Sequence, residues 1–400
     1  MHVLYITHYS IMEPLGQSQI LPYLTGLASR GHSIKIFSFE KPVLFADEGR
    51  IVAQQQALQR IGMGWLPHAY RRGSSLRNLA RDVLASSAEV NRLHKRSNFE
   101  LIHCRSHVPF LMAWYASMLH RVPLLLDFRG FMAEEYVDAG LWRPGGARFR
   151  LAKLIERRMC ARCASLVVLT HPMRDYVQRV FVLPSEKVFV VPCCVDTGRF
   201  FPKVASFTNS APAPLRVIYS GSTHGRYDLQ AMLRFFAVLA RKRPGSRLTI
   251  LSTGDLTSVQ TVVTITGVPS EAVTLRSVNY VEVPGILSDH DIGLFFLRGN
   301  LALLAASPTK IGEYLACGLC VVAEKGTGGL EEILVREGVG CLVDSSDPSR
   351  WSEVADEVIR LCDNPDRRLK SARIAAKHYS LEDGIQTYAR AYEFAARHRP

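Results

Sequence analysis

Short runs rich in β-branched residues alternate with helix-patterned stretches along this chain, and the alternation runs through it twice. In the first half the expected strands are Val3–Thr7, Ile34–Phe39, Glu100–Cys104, Pro123–Asp127, Ser165–Leu169 and Val188–Val191. Between them lie helical patterns such as Gln19–Ser29, which puts Ile20, Leu24, Leu27 and Ala28 on one face. Strands separated by helices cannot pair through tight hairpins, so the pattern predicts a parallel sheet covered on both sides. Residues 201–214 are rich in Pro, Ser and Ala and carry no periodic hydrophobic pattern, which reads as an interdomain linker. A second series starts at Leu215–Gly221 and continues through Arg247–Ser252, Val273–Arg276, Asp291–Leu297 and Leu319–Ala323. The expected fold is α/β: two Rossmann-like doubly wound domains, 1–200 and 215–380, facing a cleft. Ligands of such sheets sit at the carboxyl ends of the strands.

The totals narrow the class. Four hundred residues with 48% hydrophobic content can bury two substantial cores. No window of about 20 residues is free of polar breaks, so no transmembrane helix is expected. The start, Met1–His8, reads as a strand and not as a signal peptide. Nine cysteines point to free thiols in a reducing, cytoplasmic setting. Residues 1–200 hold 26 Lys and Arg against 15 Asp and Glu, whereas residues 201–400 hold 23 against 21. The basic excess lies mainly in Trp65–Arg81 and Arg143–Arg162, and fits either an anionic membrane surface, met peripherally from the inner face, or simple solubility. No recognised nucleic-acid-binding motif accompanies it, so a nucleic acid partner is not expected.

Ser307-Pro308-Thr309-Lys310-Ile311-Gly312-Glu313-Tyr314-Leu315-Ala316-Cys317-Gly318 carries the chemistry. A proline sets the start of a helix, Lys310 and Glu313 share a face of its first turn, and Gly318 suits its end. A buried strand and the loop Gly326-Thr327-Gly328-Gly329 follow. Free N–H groups, a cation and a carboxylate one turn on suit a nucleotide diphosphate: phosphate takes the positive groups and Glu313 accepts a ribose hydroxyl.

This stretch resembles the donor-site motif of retaining glycosyltransferases of family 4, in a Ser-Pro-Thr-Lys/Glu-Tyr-Leu-Ala variant. Further pieces resemble the same family in the same order. They are Pro14–Gln19 with Gly31-His32, Asp127–Gly130 with Glu134-Glu135 and Gly140–Trp142, Val191-Pro192 with Val195-Asp196, Tyr219–Ser222, and Gly338–Gly340. The resemblance implies the GT-B fold and transfer of a sugar from a nucleotide diphosphate sugar to a glycan, lipid-linked or small-molecule acceptor. Bacterial surface polysaccharide or glycolipid assembly is the expected setting. It also implies front-face attack assisted by the leaving phosphate, with no protein nucleophile, no cofactor and no metal. The helix in 381–400, with Ile385, Tyr388, Ala389 and Tyr392 on one side, would cross back to the first domain.

Residue by residue, Glu313 matches the ribose-binding glutamate, and Lys310 and Arg226 match cations that neutralise the departing diphosphate. Gly221 and Ser222, Ser307 and Thr309, and Gly328 and Gly329 would line the donor. Gly16 would let the first-domain backbone approach it. Asp127 and Arg129 read equally as acceptor-orienting groups or as a structural ion pair. Trp65, Tyr70, Arg71, His103 and Arg105 are candidates on the acceptor side. Two departures stand out: Ala305 holds the place of a second family glutamate, and Arg129 stands about where relatives keep a histidine.

Blander readings compete. Lys310 and Glu313 could form a surface ion pair, Arg226 could be a solvated loop charge, and the glycine loop could be only a tight turn. Asp289-His290-Asp291 has a metal-binding form but abuts a buried strand, and the Cys160/Cys163 and Cys317/Cys320 spacings do not resemble zinc knuckles. The rival functions are a nucleotide-sugar epimerase of similar fold and an inactive scaffold subunit. A nicotinamide dehydrogenase is weaker, because the first strand leads to Pro14–Gln17 and not to a G-x-G-x-x-G turn.

Overall fold

A computed structural model of the protein describes residues 1–70, 76–203, 213–252, 254 and 256–398. Most of the segment read as a linker, and Arg71, lie outside the described residues. The chain divides into two compact units. The first comprises Met1–Ala133, Gly145–Val191 and Leu381–Pro400; the second comprises Glu134–Pro144 and Pro192–Ser380.

The first unit holds a seven-stranded, wholly parallel sheet. Its strands are β1 (His2–Thr7), β2 (Ser33–Glu40), β3 (Gly64–Ala69), β4 (Leu101–Arg105), β5 (Leu124–Phe128), β6 (Ser165–Val168) and β7 (Val188–Val190). Their order is β3-β2-β1-β4-β5-β6-β7, which reverses between β1 and β4. β1 is pinned from both sides, with Leu4 opposite Lys35 of β2 and Ile102 of β4. The helix Leu381–Arg397 belongs to this unit. Tyr388 meets Tyr23 edge-on at 5.3 Å, and the Tyr392 hydroxyl lies 2.9 Å from Nδ1 of His103.

β3 was not expected as a strand. Pro67 breaks its pattern, which is tolerated because β3 forms the sheet edge. Its formation corrects the reading of Trp65 as an acceptor-side group. Trp65 is buried, and its indole N–H donates to Ser38 Oγ at 2.7 Å. His68 stacks on Phe37 with ring centroids 4.2 Å apart and pairs with Glu89 at 3.0 Å. Tyr70 continues the edge, donating its N–H to the Glu40 carbonyl at 2.7 Å.

The second unit holds β8 (Arg216–Ser220), β9 (Arg247–Leu251), β10 (Val273–Arg276), β11 (Ile292–Phe295), β12 (Cys320–Glu324) and β13 (Gly340–Val343). They are all parallel, in the order β10-β9-β8-β11-β12-β13. Side chains alternate between two cores. Val217 and Tyr219 of β8 and Val322 of β12 join Phe235, Phe236 and Trp351 on one face. Ile218 of β8 and Val321 and Ala323 of β12 join Ile311, Tyr314 and Leu315 on the other. In the central strands β11 and β12 neither face meets water, so they read as continuous apolar runs, whereas the edge strand β10 leaves Thr274 and Arg276 exposed. The short edge strand β13 was missed because Gly340-Cys341-Leu342-Val343 offers only four residues of signal.

Asp289-His290-Asp291 forms the entry to β11. The Asp291 carboxylate takes the Arg216 backbone N–H at 3.0 Å, Arg367 at 2.7 Å and Arg368 at 3.0 Å. Burial pushes this carboxyl up, but Arg367 and Arg216 outweigh it and hold the group below its ordinary value. Removing one partner of a buried ion cluster strands the others without a counter-charge. Asp291→Ala is therefore expected to lower the unfolding free energy by about 3 kcal/mol in urea titration. A loss within the scatter of surface substitutions would show that the cluster is not structural.

Candidate functional site

The helix Thr309–Ala316 forms where Pro308 fixes the entry, and it is apolar toward the second unit's core. Cys317 closes it and Gly318 follows at φ +83°, a left-handed conformation that glycine adopts without steric penalty. Lys310 and Glu313 are both buried in its first turns, which excludes a solvated surface pair.

Lys310 lies in an aromatic cage. Its Nζ is 4.3 Å from the Tyr227 ring centroid, 5.1 Å from Tyr219 and 5.3 Å from Phe295. Gly221 makes the room, since a Cβ there would lie 2.5 Å from Nζ. No hydrogen-bond or ion-pair partner holds the ammonium among the described residues. Burial lowers its pKa from 10.5 to about 8, with the Glu313 charge opposing the shift. Ring faces favour a cation but saturate none of its three N–H donors, so these donors stay available to an anion.

Glu313 accepts a hydrogen bond from the Tyr280 hydroxyl at 3.1 Å. Burial raises its pKa against that bond and the charges of Lys310 and Arg199. Arg199 lies over the Tyr280 ring at 4.5 Å and donates to the Tyr280 carbonyl at 3.1 Å. The helix is tied to β8 by Tyr314, whose hydroxyl accepts the Ser220 N–H at 2.8 Å. Tyr280, Arg199, Tyr227 and Phe295 were missed as site residues because they come from separate loops and strands with no shared spacing.

Several expectations need correction. The Gly221 N–H already donates to the Leu251 carbonyl at 2.9 Å, and the Gly328 N–H to the Leu303 carbonyl at 2.9 Å. Neither amide is spare for a phosphate. Gly329 follows at φ +82° in the same tight turn. Ser222 Oγ accepts the His224 N–H at 3.3 Å, and Ser307 Oγ accepts the Cys193 N–H at 3.0 Å. Thr309 is half-buried at the first position of the helix. Arg226 is neither a loose loop charge nor a free cation. Its Nε donates to the Arg298 carbonyl at 3.0 Å, and its terminal nitrogens lie 3.4 Å from Asp138 and 3.9 Å from Glu135.

In the first unit, Asp127 is fully enclosed, 3.0 Å from Arg105, 3.4 Å from Arg129 and 3.9 Å from His103. Burial pushes its carboxyl up, yet Arg129, His103 and Arg105 together hold it well below the usual carboxylate range. Burial also lowers the pKa of His103. With Tyr392 capping His103, Asp127, Arg105 and His103 form a buried structural ion cluster and not an acceptor-facing group, leaving Arg129 at its partly exposed rim. Gly16 lies inside the short helix Pro14–Gln19, where a side chain would collide with the Ser10–Ile11 backbone. Its smallness serves that packing.

Two family models match the chain. One, described as Glycosyltransferase Family 4, covers residues 20–199, and the other, Glycosyl transferases group 1, covers residues 214–364. Each half of the chain is thus similar to a glycosyltransferase model, and the chain's fold is GT-B. Among curated relatives, a D-inositol 3-phosphate glycosyltransferase of Actinosynnema mirum is 26% identical over 66% of this chain and 65% of its own length. The match thus spans just under two thirds of that relative. A glycosyltransferase from Rickettsia africae ESF-5 superposes with a TM-score of 0.68 at 12% identity, covering 98% of each chain. Anabaena Alr3699/HepE, in complex with UDP and glucose, gives 0.63 at 13% identity, over 97% of this chain and 98% of that one.

The caged lysine makes a stability prediction. Between pH 8 and 10.5 the unfolded chain binds the Lys310 proton more tightly than the folded chain, so stability rises with pH across that window. Below pH 8 the whole penalty of about 3 kcal/mol is present. Lys310→Met should stabilise the protein by ~2 kcal/mol at pH 7 in urea titration and remove that rise. A destabilised Lys310→Met would mean the cage holds the cation at no net penalty.

Proposed function

We propose that the second unit binds a nucleotide diphosphate sugar and that the chain transfers the sugar, a hexose, to an acceptor with retention of configuration. The observation that carries this reading is Lys310: a desolvated ammonium with free donors, one turn from a carboxylate oriented by Tyr280. A diphosphate would restore the charge balance that burial denies Lys310, and the interaction strengthens as the leaving group gains charge. Glu313 would accept the ribose hydroxyls, with Tyr280 keeping one oxygen aimed. Because Lys310 supplies the positive charge, the proposed reaction needs neither a metal nor a cofactor, and chelation with EDTA should leave turnover unchanged. The match to an inositol phosphate glycosyltransferase and the fold shared with a UDP-binding protein support a nucleotide-sugar donor. The proposed setting is bacterial surface polysaccharide or glycolipid assembly, in the cytoplasm with peripheral attachment to the membrane.

Thermal stabilisation by UDP, GDP, ADP and dTDP tests the donor site, since binding to the native state alone raises the midpoint. One nucleotide should raise it selectively, and Glu313→Ala should abolish the shift. Affinity should fall as pH rises through 8, where Lys310 loses its proton. Lys310→Ala should weaken binding about ten- to hundredfold and flatten that dependence. If no nucleotide binds at millimolar concentration, the inactive scaffold takes the place of the transferase. Conversion of a donor sugar without acceptor would instead identify an epimerase.

A further inference from the structure

The basic excess of the first half is not spread over the surface. On one side of the first unit's sheet, the helix His107–His120 packs between the helices Leu76–Ser97 and Ala147–Arg162. Arg81, Arg92, Lys95 and Arg96 are exposed on the first of these, Arg121 closes His107–His120, and Arg148, Arg150, Arg157, Arg158 and Arg162 are exposed on the last. No carboxylate is exposed on any of the three helices. Their acids turn inward: Asp82 is buried, Glu89 pairs with His68, and Glu156 lies fully enclosed against His107 and Lys153. The exposed arginines have no ion-pair partner among the described residues.

Large apolar side chains stand out among these cations. Leu84 is 71% exposed, Met118 62% and Leu151 58%, with Tyr115, Leu119 and Leu154 also exposed. On the helix Ala147–Arg162, a 100° step per residue puts Leu151 and Leu154 near the middle of the outward arc with Arg158 between them, Arg148 and Arg162 on one flank and Arg150 and Arg157 on the other. Exposed leucines set among long cationic side chains match a lipid interface, where leucines enter the acyl boundary and arginines, Arg158 between them included, extend to the phosphates. A solubility-driven surface would intersperse both signs and keep leucines in.

We infer that this three-helix face docks the protein onto an anionic lipid surface, with Leu151 and Leu154 entering the bilayer interface. The inference rests on the peripheral attachment proposed above and locates it on the first unit; the donor-site reading does not depend on it, so either of those two can fail without the other.

The test is co-sedimentation of the full chain with vesicles of phosphatidylcholine alone or mixed with phosphatidylglycerol. Binding should require the anionic lipid and weaken as salt rises. Arg157→Glu with Arg158→Glu should reduce partitioning about tenfold or more. Arg234→Glu with Arg241→Glu, an equal charge change at exposed positions of the second unit, should not. Leu151→Ser with Leu154→Ser should reduce binding at unchanged net charge, with unfolding midpoints checking that each variant is folded. Binding to phosphatidylcholine alone, indifference to the leucine pair, or retention of a nucleic acid in place of the vesicles would each overturn the proposal.

Discussion

Buried charge in this chain is constrained by sheets whose central strands have no face left for water. Both sheets are parallel and their central strands are buried on both sides, so a side chain there must be apolar or partnered, whereas edge strands such as β3 and β10 reach water. Strand ends and the loops beyond them are where charge can stand. Asp291 is tolerated at the entry to β11 only because three arginines meet it, and Asp127 at the far end of β5 only because Arg105, Arg129 and His103 do. Lys310 is the exception: it keeps its charge beneath aromatic rings with no counter-ion in salt-bridge contact.

That contrast separates structural charge from charge held for a ligand. Where a buried ionisable group is surrounded by opposite charge, its interactions are complete and a ligand has little to gain there. Asp127 is of this kind; Arg226 is balanced in charge by Asp138 and Glu135 but keeps a buried terminal nitrogen without a hydrogen-bond partner among the described residues. Lys310 and Glu313 are each incompletely compensated, and their ordinary pKa values move toward neutrality in consequence. Strong perturbation by desolvation at a strand-end helix is the physical mark of a site held ready for a charged or hydroxyl-bearing partner.

Much of the fold was legible because period and punctuation agree. The β-branched runs, the helix from Thr309 and its stop at Gly318 are all local signals. The two strands that escaped notice, β3 and β13, are short edges, one carrying a proline, and gain their strand character from a neighbour. The site was legible only in part. Glu313 and Lys310 share one turn, so spacing finds them. Tyr280 and Tyr227 reach the same place from loops after other strands, and Arg199 lies far upstream, so nothing in their spacing links them. The Trp65 reading failed for a related reason: an aromatic beside cations looks the same in a string whether it faces solvent or donates to Ser38.

The helix Leu381–Arg397 has a consequence in time as well as in space. Tyr388 and Tyr392 fill the first unit's core and cap His103, yet they are made only after the whole second unit. The sheet that is synthesised first must therefore wait, with part of its apolar face uncovered, while 189 intervening residues of Pro192–Ser380 emerge. Such a domain cannot complete its folding in the order in which it is translated. Its uncovered face is the part of the nascent chain most in need of protection from aggregation.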